Sequence, residues 1–96
     1  MGKVTDQPTF EWDEKKRLIG IEKHGIDFYR TALIFEGPHI LLDARSDVEA
    51  RHRAVGLSND TLITVVFTFR GNKIRLISAR RARDNESRAY HAVVAD

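Results

Sequence analysis

The chain has no cysteine, so neither a disulfide nor a thiolate metal site can staple it. Its stability has to come from core packing, which suits the cytoplasm. No apolar run approaches the ~20 residues that a membrane span needs. Residues 1–8 lack the apolar stretch of a secretory signal. The four histidines show no helical i,i+4 pair and no companion carboxylate cluster, so no metal site is expected. A glycine-rich phosphate loop and a serine-nucleophile motif are also missing. The expectation is a soluble cytoplasmic protein without metal or cofactor.

What is present fits one domain over residues 1–96, with 1–8 as a frayed tail, since 96 residues leave no room for a second core. Apolar residues make up 42% of the chain, enough for a packed interior. The net charge of +2 hides an asymmetry. Residues 70–96 hold seven Lys/Arg against three Asp/Glu, whereas residues 1–69 hold nine against eleven. Arginines gathered in one half point to a polyanion such as RNA, because counterion release favours phosphate binding.

Phe10-Glu11-Trp12 reads as a short strand, and Asp13 as the N-cap of a helix over 14–24. Leu18, Ile19 and Ile21 form that helix's apolar side, and Gly25 supplies a left-handed C-cap. Asp27 caps a second helix over 28–35, with Phe28, Ala32, Leu33 and Phe35 turned inward. Strands follow over 39–45, 51–58, 61–70 and 73–81, with a polar loop at 46–50. Asp84 caps a last helix towards Val94. The fold class is α+β: an N-terminal helical layer on a mainly antiparallel four-stranded sheet, then a C-terminal helix.

Asn59-Asp60 and Gly71-Asn72 are two-residue hairpin loops, and such loops fix the register of their strands. Ile63, Val65, Phe67, Phe69, Ile74 and Leu76 then share one face, under the helices. Arg51, Arg53, Val55, Thr64, Val66, Thr68, Arg75, Ile77 and Arg81 share the other. Arg51, Thr68 and Arg75 fall in one cross-strand row. Two arginines beside a hydroxyl form a phosphate cradle, since guanidinium binds phosphate with two parallel hydrogen bonds.

Several segments carry a family resemblance in order along the chain. They are Phe10-Glu11-Trp12-Asp13, Lys23-His24-Gly25 with Asp27-Phe28, and Glu49-Ala50-Arg51 leading to Val55-Gly56. The most specific is the run from Ile74 through Arg75-Leu76-Ile77-Ser78-Ala79-Arg80 to Arg81-Ala82; Glu86, Arg88 and Tyr90 complete the set. From Phe10 to about Tyr90 the chain resembles BrnT-type toxins of type II toxin–antitoxin systems, within the RelE-like toxins. The resemblance implies a RelE-like fold and RNA cleavage that inhibits translation. It implies neutralisation by a BrnA-type ribbon-helix-helix antitoxin, in a complex that represses its own operon and contacts operator DNA only through the antitoxin. Phe67 stands where many relatives carry His, and its predicted face makes this a packing change.

Metal-free RNA cleavage needs a base for the 2′-hydroxyl, cations for the charged phosphorane and an acid for the leaving 5′-oxygen. Arg51, Arg75, Arg80 and Arg81 are the cation candidates. In a regular strand Arg80 and Arg81 face opposite ways, so one of them serves structure or a partner. Glu49 and His24 are the acid–base candidates. Glu49 can equally be a salt bridge that orients Arg51, and His24 at a helix end can be simple charge compensation. Arg53, Thr68, Arg81 and Tyr90 are candidates for RNA contact. A catalytically weak relative, binding an antitoxin and tuning repression, is the alternative reading.

Overall fold

The computed structural model describes residues 9–44 and 49–94. The expected tail at 1–8, and the part of the polar loop at 46–48, lie outside them. Strand β1 (Thr9–Trp12) is followed by helices α1 (Glu14–His24) and α2 (Phe28–Thr31). A 3-10 turn (Ala32–Glu36) leads into β2 (His39–Ala44), β3 (Arg51–Ser58), β4 (Thr61–Arg70) and β5 (Lys73–Arg81). Helix α3 (Asp84–Val93) closes the described chain.

The sheet has five strands, not four, in the order β1-β5-β4-β3-β2. Strands β2 to β5 are antiparallel neighbours, and β1 adds parallel to β5, placing Glu11 beside Arg75 and Trp12 beside Leu76. Four residues carry too little periodicity to reveal a parallel partner more than sixty positions away. The hairpin register follows from the loops. Asn59 and Asp60 both take positive φ (50° and 67°), the pattern of a type I′ turn. At the second hairpin only Gly71 does so (φ 61°), and Asn72 does not.

Helix capping also follows local chemistry. The Asp13 carboxylate accepts from the Lys15 amide at 2.8 Å, Asp27 accepts from Tyr29, and Gly25 ends α1 with φ 68°. The N-cap of α3 is Arg83 rather than Asp84, and the Arg83 amide donates to the Glu86 side chain at 2.9 Å. That is half of a capping box.

Two apolar clusters form, one on each face of the sheet. The larger holds Phe28, Ile34, Ala54, Ile63, Val65, Phe67, Leu76 and Ala79 beneath α2 and the 3-10 turn. The smaller packs Tyr90 of α3 on Ile40 and Val55. The helical layer differs from the expectation in two ways. Helix α1 buries no residue, and Leu18 (53% exposed) and Ile19 (51%) are open to solvent. The expected second helix tightens into a 3-10 turn after Thr31, which rotates Ile34 inward and leaves Leu33 exposed. Phe67 is buried against Phe35 and Phe69, on the helix-covered face.

Candidate active site

Three consecutive cross-strand rows on the face opposite α2 bear arginines. Nearest the hairpin tip of β3 and β4 lie Ile40, Val55, Thr64 and Arg80. Next come Leu42, Arg53, Val66 and Ser78. The last runs Ala44, Arg51, Thr68, Arg75 and Glu11. Arg51 stands one step beyond the final β3–β4 pair, His52 with Phe67. The Thr68 hydroxyl donates to the Ala50 carbonyl at 2.6 Å, tying the entry of β3 to the C-terminal part of β4.

A bulge decides which arginines join this face. The pairing shifts between Val66 and Phe67, so Ile77 is an extra residue between Leu76 (opposite Phe67) and Ser78 (opposite Val66). Side chains alternate along a strand, and one extra residue reverses the alternation beyond it. Arg80 therefore comes opposite Thr64, and Arg81 passes to the helix side opposite Ile63. The sequence expectation had placed Arg81 on the same face as Arg75; the bulge corrects it.

Glu86 organises the arginines. It projects from α3, is fully buried (0% exposed), and accepts from Arg80 at 2.8 and 2.9 Å and from Arg53 at 2.7 Å. The Thr64 hydroxyl adds a bond at 2.8 Å and the Arg83 amide another. The Arg80 guanidinium, with lesser help from Arg83, Arg53 and Thr64, holds this carboxyl far below the usual range despite burial. The same contact raises the Arg80 pKa. Two guanidinium groups share one carboxylate, so the cluster keeps a positive charge.

Beside it lies an open groove of about 400 Å³ lined by Arg51, Arg53, Arg80, Arg83, Val66 and Ser78, among others. Arg83 is exposed, and its guanidinium makes no ion pair among the described residues. At the end of the row, Arg75 donates to Glu11 at 3.0 Å and Lys73 approaches the same carboxylate at 3.8 Å. Arg51 pairs with Glu49 at 3.4 Å. Arg51 and Arg75 thus flank Thr68 on a sheet face, with a carboxylate behind each. Such an arrangement can hold a phosphodiester and withdraw a proton beside it.

Other expected residues lie elsewhere. His24 ends α1, where it shares a cavity of about 240 Å³ with Arg81 and Arg30 and also lines a neighbouring groove with Ser78 and Arg80. Tyr90 is 2% exposed inside the smaller cluster, so its ring has no open face for a base. Arg53 also donates to the Asp43 carbonyl at 2.8 Å, and its main partners are structural. Sequence reasoning passed over Glu11 and Arg83 as site residues. The Glu11 position beside Arg75 depends on an unforeseen strand pairing, while Arg83 lay in the arginine cluster that charge counting had flagged. Among the described residues, no three His, Asp or Glu side chains gather as a metal-ligand set.

A family model described as the ribonuclease toxin BrnT of type II toxin–antitoxin systems matches residues 12–86. The chain belongs to the BrnT family. Its fold is similar to the crystal structure of the Brucella abortus ribonuclease toxin BrnT, with a TM-score of 0.65 and 29% identity. That match covers 81% of this chain and 100% of the Brucella chain. No curated protein sequence matched. The BrnT family is one of ribonuclease toxins, and a type II system implies an antitoxin partner. No helix among the described residues is long and apolar enough to cross a membrane.

Proposed function

We propose that this BrnT-family chain is a metal-independent endoribonuclease whose catalytic face is the row from Glu11 through Arg75 and Thr68 to Arg51. The observation that carries the reading is the pair of arginines flanking a hydroxyl, each backed by a carboxylate. The scissile phosphate lies between Arg51 and Arg75, whose guanidinium groups stabilise the charge that develops on its oxygens. The 2′-hydroxyl oxygen attacks phosphorus and gives its proton to Glu49. The bond to the 5′-oxygen breaks, and that oxygen takes a proton from water on the open face. The products are a 2′,3′-cyclic phosphate and a 5′-hydroxyl. Glu11 keeps Arg75 extended across the row, and Arg83 with the Arg53–Arg80–Glu86 cluster attracts the flanking phosphates.

In the cell this activity is placed in the cytoplasm, where it inhibits translation. A BrnA-type ribbon-helix-helix antitoxin neutralises the chain, and the complex represses its own operon through antitoxin contacts to operator DNA. Support for this part is family membership. A second reading, a weak or inactive relative acting as an antitoxin-binding module, draws on one observation. Arg51, Arg53, Arg75 and Arg80 already each hold a carboxylate.

One assay separates the two. The chain is incubated with RNA in EDTA beside an Arg75→Ala variant and an antitoxin-neutralised sample. Cleavage that persists in EDTA and disappears in both controls supports the enzyme. Absence of cleavage with intact antitoxin binding leaves the module.

A further inference from the structure

The outer edge of β5 is covered by two elements, β1 and α1. Strand β1 pairs with residues 73–76, and beyond Leu76 no described strand continues the sheet on that side. Helix α1 flanks the remainder, leaving a groove of about 340 Å³. Ile19 and Ile77 provide its open apolar lining above the buried Phe28 and Ala79, and Lys16, Lys23, His24 and Arg80 its basic lining. The lining contains no aspartate or glutamate. Lys16 and Lys23 are exposed and have no acidic partner among the described residues.

From these features we propose that the α1–β5 groove docks an extended acidic peptide, the segment by which a protein antitoxin grips this chain. The inference rests on the antitoxin partnership of the proposed function and names its surface. An extended peptide laid along the groove presents side chains that alternate in direction. Apolar side chains on one side meet Ile19 and Ile77. Carboxylates on the other meet Lys16, Lys23 and Arg80. Phe28 is 1% exposed, so His24 is the single open ring of the lining, and a run of nucleobases finds less surface to stack on than apolar peptide side chains find at Ile19 and Ile77.

The location has a consequence for RNA. Ile77, Ser78 and Arg80 line both this groove and the arginine groove of the catalytic face. A peptide carboxylate drawn to Arg80 therefore sits where the flanking RNA phosphates would pass. Neutralisation follows from charge and exclusion at the bulge, with no rearrangement of the core.

The test uses the full isotope-labelled chain and a ten-residue peptide of alternating valine and glutamate, with a valine–lysine peptide as control. Saturable binding of the glutamate peptide should shift the amides of residues 77–81. A Lys16→Glu/Lys23→Glu double variant should bind it at least tenfold more weakly while cleaving RNA at an unchanged rate. Equal binding of the lysine peptide, no binding of either, or unchanged affinity in the double variant overturns the proposal. So does a six-nucleotide oligouridylate that shifts the groove amides when the glutamate peptide does not. Peptide binding without RNA cleavage leaves the docking surface standing and removes the nuclease reading; cleavage without peptide binding does the reverse.

Discussion

Replacing Glu86 with alanine removes one buried carboxylate and leaves four groups without their acceptor: Arg53, Arg80, the Thr64 hydroxyl and the Arg83 amide. Breaking a buried ion pair from one side costs about 3–5 kcal/mol. The Arg53 and Arg80 side chains are 25% and 23% exposed, so water can reach part of each guanidinium. That places the cost at the lower end, about 3 kcal/mol, against a total stability of roughly 5–15 kcal/mol for a domain. For a chain this size the midpoint should fall by roughly 12–24 °C. Glu86→Gln keeps acceptors for Thr64 and the Arg83 amide, so it should cost about half as much. Thermal and urea unfolding followed by circular dichroism measures both variants. A Glu86→Ala midpoint within about 3 °C of the unmodified chain would refute the cluster as the anchor of α3.

Glu86 also predicts an acid response. Its folded pKa lies below that of the unfolded chain, so its contribution is complete above the ordinary carboxylate range. It fades as pH falls from about 4 towards the folded value, and a urea midpoint series should show Glu86→Gln losing less stability there than the unmodified chain. Arg51→Ala and Arg75→Ala should each lower RNA cleavage at least about a hundredfold, as loss of a charge-stabilising donor does, with midpoints shifted by only a few degrees. Unfolding of both variants would remove the cradle assignment. Phe67→Ala should cost about 3–5 kcal/mol, because the ring is buried between Phe35 and Phe69. A near-neutral result in chemical denaturation would show that this core closes over the lost ring.

Much of the fold is written in short-range chemistry. Asp13, Gly25 and Asp27 mark helix ends because carboxylates accept from free amides and glycine takes positive φ at little cost. Asn59-Asp60 and Gly71-Asn72 set the strand register, and with it the meeting of Thr68 with Arg75. Each of these results needs only residues near one another in sequence. Where one helix face ends up is a different matter. Leu18, Ile19 and Ile21 have helical spacing but meet no neighbour that covers them.

The sequence by itself determined the strands, the hairpins and an arginine-bearing face, since alternation and loop length are local properties. Only the tertiary structure decided which arginines belong together. The bulge at Ile77 exchanges Arg81 for Arg80, the parallel pairing of β1 brings Glu11 to Arg75, and α3 lowers Glu86 between Arg53 and Arg80. The physical reason is that a strand pattern records direction, not partners. A single inserted residue reverses every side chain beyond it. The charge of a buried carboxylate is then stabilised by whichever donors the fold has carried to it.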